Sequence, residues 1–130
     1  MSRSGYTDDA ENLGLWRAAV ASAIRGKRGQ RLLLDMAEAM DAMPKKELIA
    51  GALEQDGAHC ALGVVGAKRG IDLSEIDPGE PREVGSALDI AYALACEVAY
   101  INDERHWRET DADRWVRVRK WVAEQIKVPA

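Results

Sequence analysis

A thiol at the expected start of a helix is the residue of this chain most open to covalent chemistry. Cys60 opens the apolar run Cys-Ala-Leu-Gly-Val-Val-Gly-Ala, and the unpaired N–H groups and dipole at a helix start favour a thiolate. His106, oriented by Asn102 or Asp103, would supply the base of a cysteine hydrolase if the 102–106 turn folds against that helix. Adjacent His59 is the poorer base. The plainer reading makes Cys60 a small packing residue and His106 a surface residue of a polar turn. No cysteine-hydrolase signature surrounds the thiol, so packing ranks ahead of catalysis.

Metal chemistry would require His59, Cys60, Cys96 and His106 to converge, and none of them stands in a C-x-x-C or H-x-x-x-H pair. Asn102-Asp103-Glu104 lacks the alternate oxygens of a calcium loop, and a helix end capped by Asn102 is the simpler account. No metal site is expected, and no cofactor.

The basic stretch Arg25-Gly-Lys-Arg-Gly-Gln-Arg31 places four cations and two glycines in one helix-to-helix turn. Arg25, Lys27, Arg28 and Arg31 there could cradle a phosphate, helped by backbone N–H groups at the start of the next helix. Without G-K-[ST] it is not a P-loop. The competing reading is that these cations neutralise the C-terminal end of the first helix and keep the turn solvated. Arg114 and Arg117, with Arg119 and Lys120, form a second basic face on the last helix, where solvated charge opposite an apolar stripe is the default. Of the four tryptophans, Trp16, Trp107, Trp115 and Trp121, most should serve as core aromatics in a chain without Phe. Trp115 and Trp121 point about 120° apart on a helix, which leaves one of them, with Trp121 as the candidate, for a partner surface beside arginines.

The elements that must position these residues can be read from periodicity. Asp8, Asp9 and Glu11 precede apolar residues at helical spacing, giving a first helix over about 10–25. Gly26 and Gly29 mark a short break. Leu33, Met36, Ala37 and Met40 predict a second helix over about 29–42, ended before Pro44. Residues 47–60 contain Asp56-Gly57, a common hairpin turn pair, although the alanines also suit another helical turn. A small-residue helix follows from Cys60, with Gly63 and Gly66 marking close approach of a neighbour. Residues 72–81 form the clearest loop. A short helix after Pro81, a nearly all-apolar helix over 91–101 at the middle of the core, and a helix over 111–127 capped by Thr110 complete the chain. The fold class expected is mainly α: a compact bundle of about five to six helices, with room for one short β-hairpin near residues 47–60.

With 130 residues, 47% hydrophobic and 31% charged, the chain suits a single domain over 1–130 that folds without a staple, residues 1–9 being flexible. No apolar run approaches the roughly 20 residues of a membrane span, and the N-terminus lacks the apolar segment of a secretory signal. Two unpaired cysteines fit a reducing cytosol. A net charge of −4 argues against coating nucleic acid or membrane through bulk charge, while leaving a local basic patch possible as a phosphate contact.

Five segments in order, Trp16 to Gln30, Asp56-Gly-Ala-His-Cys-Ala-Leu-Gly63, Arg69-Gly-Ile71, Asn102-Asp103-Glu104, and Glu109-Thr110 through Arg114-Trp115, resemble small proteins encoded by tailed phages and prophages. The resemblance covers most of the chain. It implies a setting, the cytoplasm of a bacterial host, and carries no functional residue. A looser likeness, Cys-Ala-Leu-Gly followed far downstream by Asn-Asp, recurs in other small actinobacterial and phage proteins and implies that Cys60 and Asn102 are neighbours. The leading expectation is a non-enzymatic accessory protein that binds a host or phage protein, of the kind that includes anti-CRISPR-like inhibitors. Nucleic-acid or nucleotide binding through residues 25–31 is the alternative, and a cysteine hydrolase using Cys60 and His106 the third. No membrane partner is expected, and the oligomeric state is open.

Overall fold

The structure is a computed structural model that describes residues 13–104 and 108–127. The expected flexible residues 1–9, the start of the first helix at residues 10–12, His106 and Trp107 lie outside the described residues.

Helix α1 (Leu13–Arg25) and helix α2 (Lys27–Asp41) are separated only by Gly26. Gly26 is extended at φ −69°, ψ 162° and serves as the N-cap of α2. The second helix therefore begins two residues earlier than the glycine pair suggests, and Gly29 lies within it. Gly29 is there for space: a Cβ at this position would stand 2.0 Å from the Ala23 carbonyl oxygen of α1. What was expected as a flexible basic turn is a tight elbow, with Lys27, Arg28 and Arg31 on the first turns of a helix.

The mixed segment after Pro44 resolves into strands β1 (Glu54–Gln55) and β2 (Ala58–His59), antiparallel with Glu54 opposite His59 and Gln55 opposite Ala58. Asp56 and Gly57 both take positive φ, 52° and 83°, as a two-residue type I′ turn demands. The hairpin leads straight into helix α3 (Ala61–Lys68). Gly63 accepts the helix-propensity cost of having no side chain, about 1 kcal/mol, because a Cβ would meet the Leu53 carbonyl oxygen at 1.9 Å. Gly66 makes room for Leu73 in the same way. The 72–81 loop is not featureless: Leu73–Glu75 forms a 3₁₀ turn that buries Leu73.

Helix α4 (Pro81–Leu88) starts on its proline, which needs no N–H partner at that position, and helix α5 (Tyr92–Asp103) follows after Asp89 turns the chain at φ 55°. Helix α6 (Asp111–Gln125) carries the expected Thr110 cap as a full capping box: the Thr110 hydroxyl accepts from the Asp113 N–H, and the Asp113 carboxylate accepts from the Thr110 N–H.

The described residues thus form six α-helices with one small hairpin. A continuous core joins Val20 and Ile24 of α1, Leu32, Leu33, Met36 and Met40 of α2, Val65 of α3, Leu94 and Val98 of α5, and Val118 and Val122 of α6. Burial of each large aliphatic side chain contributes about 2 kcal/mol. Helix α2 shares the centre with α5, packing against α1, α3 and α6. Helix α5 is not buried all round, for Tyr92 and Tyr100 are 37% and 42% exposed. Among the described residues no single helix is long and apolar enough to cross a membrane.

Candidate functional site

The sequence singled out two groups of residues, and the fold treats them differently. Cys60 is the N-cap of α3, with its Sγ accepting from the Gly63 N–H at 3.4 Å. It has no exposed surface. Its own N–H donates to the Leu53 carbonyl at 3.2 Å, so the hairpin seals the start of the helix. The anticipated helix-start environment exists, but it is closed to any substrate.

Asn102 does reach this helix. Its Oδ1 accepts from the Ala61 N–H at 3.0 Å, and its Nδ2 donates to the Ile49 carbonyl at 2.8 Å and to Asp103 Oδ1 at 3.0 Å. The same Asp103 oxygen accepts from the Gly51 N–H at 3.0 Å. Asn102 is fully buried, and a buried amide is tolerated only with such partners. The neighbourhood of Cys60 and Asn102 is therefore real, and its hydrogen bonds tie α5 to the hairpin loop. His106, the candidate base, lies outside the described residues. His59 pairs instead with Glu54, Nε2 to Oε2 at 3.0 Å.

The second thiol, Cys96, is also buried, and desolvation pushes it above the ordinary thiol range, opposed by a hydrogen bond with Tyr92. Among the described residues no group of three His, Cys, Asp or Glu side chains is placed to hold a metal ion.

The expected basic face of α6 needs correcting. Arg117 donates from Nε and Nη2 to the two Glu109 oxygens at 2.7 and 3.0 Å, and from its two Nη atoms to the carbonyls of Ile101 and Glu104 at 2.6 and 3.2 Å. Arg114 donates to the Leu48 carbonyl at 2.9 Å and Asp111 at 2.8 Å. Their side chains are only 22% and 12% exposed. The end of α5 leaves carbonyls without helical partners, and Arg117 reaches back to satisfy them, while Arg114 ties α6 to the loop at Leu48. Arg119 is held by Asp41 through two bonds. Trp121 is half-buried against the core, as is Trp115, so neither stands out as a free aromatic anchor.

The α1–α2 elbow remains open. Lys27, Arg28 and Arg31 line a polar recess of about 530 Å³ together with Asp35, Arg69 and Asp89. Arg69 is a fixed wall: it donates from Nε and Nη2 to Asp35 Oδ2 at 3.0 and 2.8 Å, and from Nη1 to the Leu88 carbonyl at 2.6 Å. Arg28 meets Asp89 in a single 3.3 Å contact between exposed groups. Lys27 and Arg31 form no ion pair with any described residue. Arg25, the first cation of the stretch, is exposed at the end of α1 and is not among the residues lining the recess.

Comparison of the chain with protein-family models, with curated proteins and with solved structures finds no match. The recess must therefore be read from its own chemistry. Arg69, Asp35 and Asp89 were missed as its lining because they are brought together from three separate helical regions. Only the basic cluster itself was a local signal.

Proposed function

We propose that this protein acts by binding, as a phage- or prophage-encoded accessory protein of the kind that includes anti-defence inhibitors, and that it docks a host or phage protein at the recess on α2. One observation carries this reading: among the described residues Lys27 and Arg31 form no ion pair, while Arg69, Arg114, Arg117 and Arg119 are all bonded internally. Leu34, 54% exposed and one turn beyond Arg31 on the same helix face, adds apolar contact area beside the charges. An anionic group on a partner would meet a surface already arranged to receive it.

Nucleic acid is the second reading, favoured by the same cations. It ranks lower because the recess is lined by charged side chains alone, with no aromatic on which a base could stack, and because Arg114 and Arg117 are not available to extend the surface. A cysteine hydrolase ranks last, since attack by Cys60 would require the hairpin to leave α3.

The test is capture from nuclease-treated host lysate with the wild-type protein and with the Lys27→Gln/Arg31→Gln variant as baits. The wild type should recover a defined protein that the variant loses. Equal recovery by both baits would remove the recess from the contact.

A further inference from the structure

We infer that the recess is a phosphate site, in which Lys27, Arg28 and Arg31 converge on one dianionic phosphate group while Arg69 forms a fixed wall. The inference rests on the reading of the recess as the contact surface and names the chemistry that it recognises. Lys27 and Arg31 are four residues apart on α2, and Arg28 and Arg31 three apart, so all three cations leave the helix on one side. Arg69 cannot turn away, because its guanidinium is held by Asp35 and the Leu88 carbonyl.

The recess already contains a test of whether a carboxylate suffices. Asp89 presents one at its rim, yet it engages only Arg28, at 3.3 Å, with the two side chains 58% and 79% exposed. A carboxylate has one charge and two oxygens. A phosphate monoester brings a second charge and a third oxygen, enough to accept from the Lys27 ammonium and the Arg31 and Arg28 guanidinium groups together. In binding it would take Arg28 from Asp89, breaking only a solvent-exposed pair of the weak kind. The lining offers no apolar wall, so the remainder of the ligand stays outside and only the phosphate is read. That phosphate belongs either to a modified side chain of the partner or to a free phosphate ester.

The experiment is a titration of the full chain at low salt with inorganic pyrophosphate, with acetate as the control, followed by backbone amide shifts and calorimetry. Pyrophosphate should move the amides of residues 27–31 and 89, and acetate should not. Lys27→Gln/Arg31→Gln should weaken binding by at least about tenfold, with an unchanged thermal midpoint showing that the fold is intact. Asp89→Asn should tighten it severalfold, since the competing carboxylate is gone and Asn tolerates the left-handed backbone at this position. No pyrophosphate response, an equal response to acetate, or undiminished binding by the double variant overturns the proposal.

Two further results separate this proposal from the docking surface. If the double variant loses the captured protein while pyrophosphate neither binds nor competes, the surface stands and the phosphate site falls. If pyrophosphate binds through these cations but the double variant still captures the protein, the phosphate site stands and the docking surface falls. Loss of capture after phosphatase treatment of the lysate assigns the phosphate to the partner. Capture that survives phosphatase, with a nucleoside triphosphate bound as pyrophosphate is, assigns it to a free ester.

Discussion

The C-terminal end of α5 and the α1–α2 elbow both concentrate polar and charged groups, and they dispose of them in opposite ways. At the end of α5, Asn102 finds partners 41 and 53 residues away, and Arg117 closes over carbonyls that the helix cannot satisfy. At the elbow, Arg69 and Asp35 satisfy each other, but Lys27 and Arg31 are left facing a recess. Polar groups whose partners are supplied by the fold itself hold the structure together. Groups that the fold leaves open are the ones available to something else.

Substitutions can break this contrast, and the largest effect belongs to Arg117→Ala. It leaves Glu109, whose side chain is only 6% exposed, without one of its arginines and uncovers the α5 carbonyls. Breaking such a pair should cost about 3 kcal/mol, seen as a lower urea midpoint with an unchanged slope. Asn102→Ala comes next. It strips a partner from the Ala61 N–H and from the Ile49 carbonyl, at about 2–3 kcal/mol; a loss below about 0.5 kcal/mol in urea unfolding would show that these bonds do not hold the hairpin to α5.

Gly63→Ala puts a methyl group against the Leu53 carbonyl and should cost about 1–3 kcal/mol by overpacking. Native Cys60 should then label faster with a thiol reagent, because the hairpin must move off α3. In the wild type, Cys60 and Cys96 should both label only as the protein opens.

A smaller effect is expected at the exposed Asp41–Arg119 pair. The bond from Arg119 holds the Asp41 carboxyl below its ordinary value of 3.8. A carboxyl whose folded pKa is depressed stabilises fully above its unfolded pKa and loses that contribution as the pH falls through the folded value. Arg119→Gln should therefore cost at most about 1 kcal/mol at neutral pH, and the difference from wild type should close as the pH is taken below about 4. Smallest of all, Lys27→Gln/Arg31→Gln should change stability by no more than about 0.5 kcal/mol, measured by thermal unfolding, while affecting binding strongly. That separation is the sharpest form of the contrast between the two regions.

Much of the fold was legible because its signals are local. The Thr110 cap, the Pro81 helix start, the Asp56-Gly57 turn and the stripe through Val118 and Val122 each depend on residues within a few positions of one another. Gly26 and Gly29 were less readable. A glycine that allows an unusual backbone angle and one that makes room for a carbonyl look alike in sequence, and Gly29 is the second kind. The arginines of α6 misled for a related reason, since periodicity identifies the side of a helix away from the core but not the carbonyls of another helix that long side chains can reach.

The sequence by itself determined the helical class, the hairpin turn, the caps and the presence of an unusual basic cluster near residue 27, all of which follow from short-range periodicity and backbone preference. Only the tertiary structure decided that Cys60 is sealed beneath the hairpin, that Asn102 and Arg117 are bonded within the fold, and that Lys27 and Arg31 form no ion pair among the described residues. Whether a polar group is satisfied depends on partners brought from distant parts of the chain, and their arrival is a property of packing.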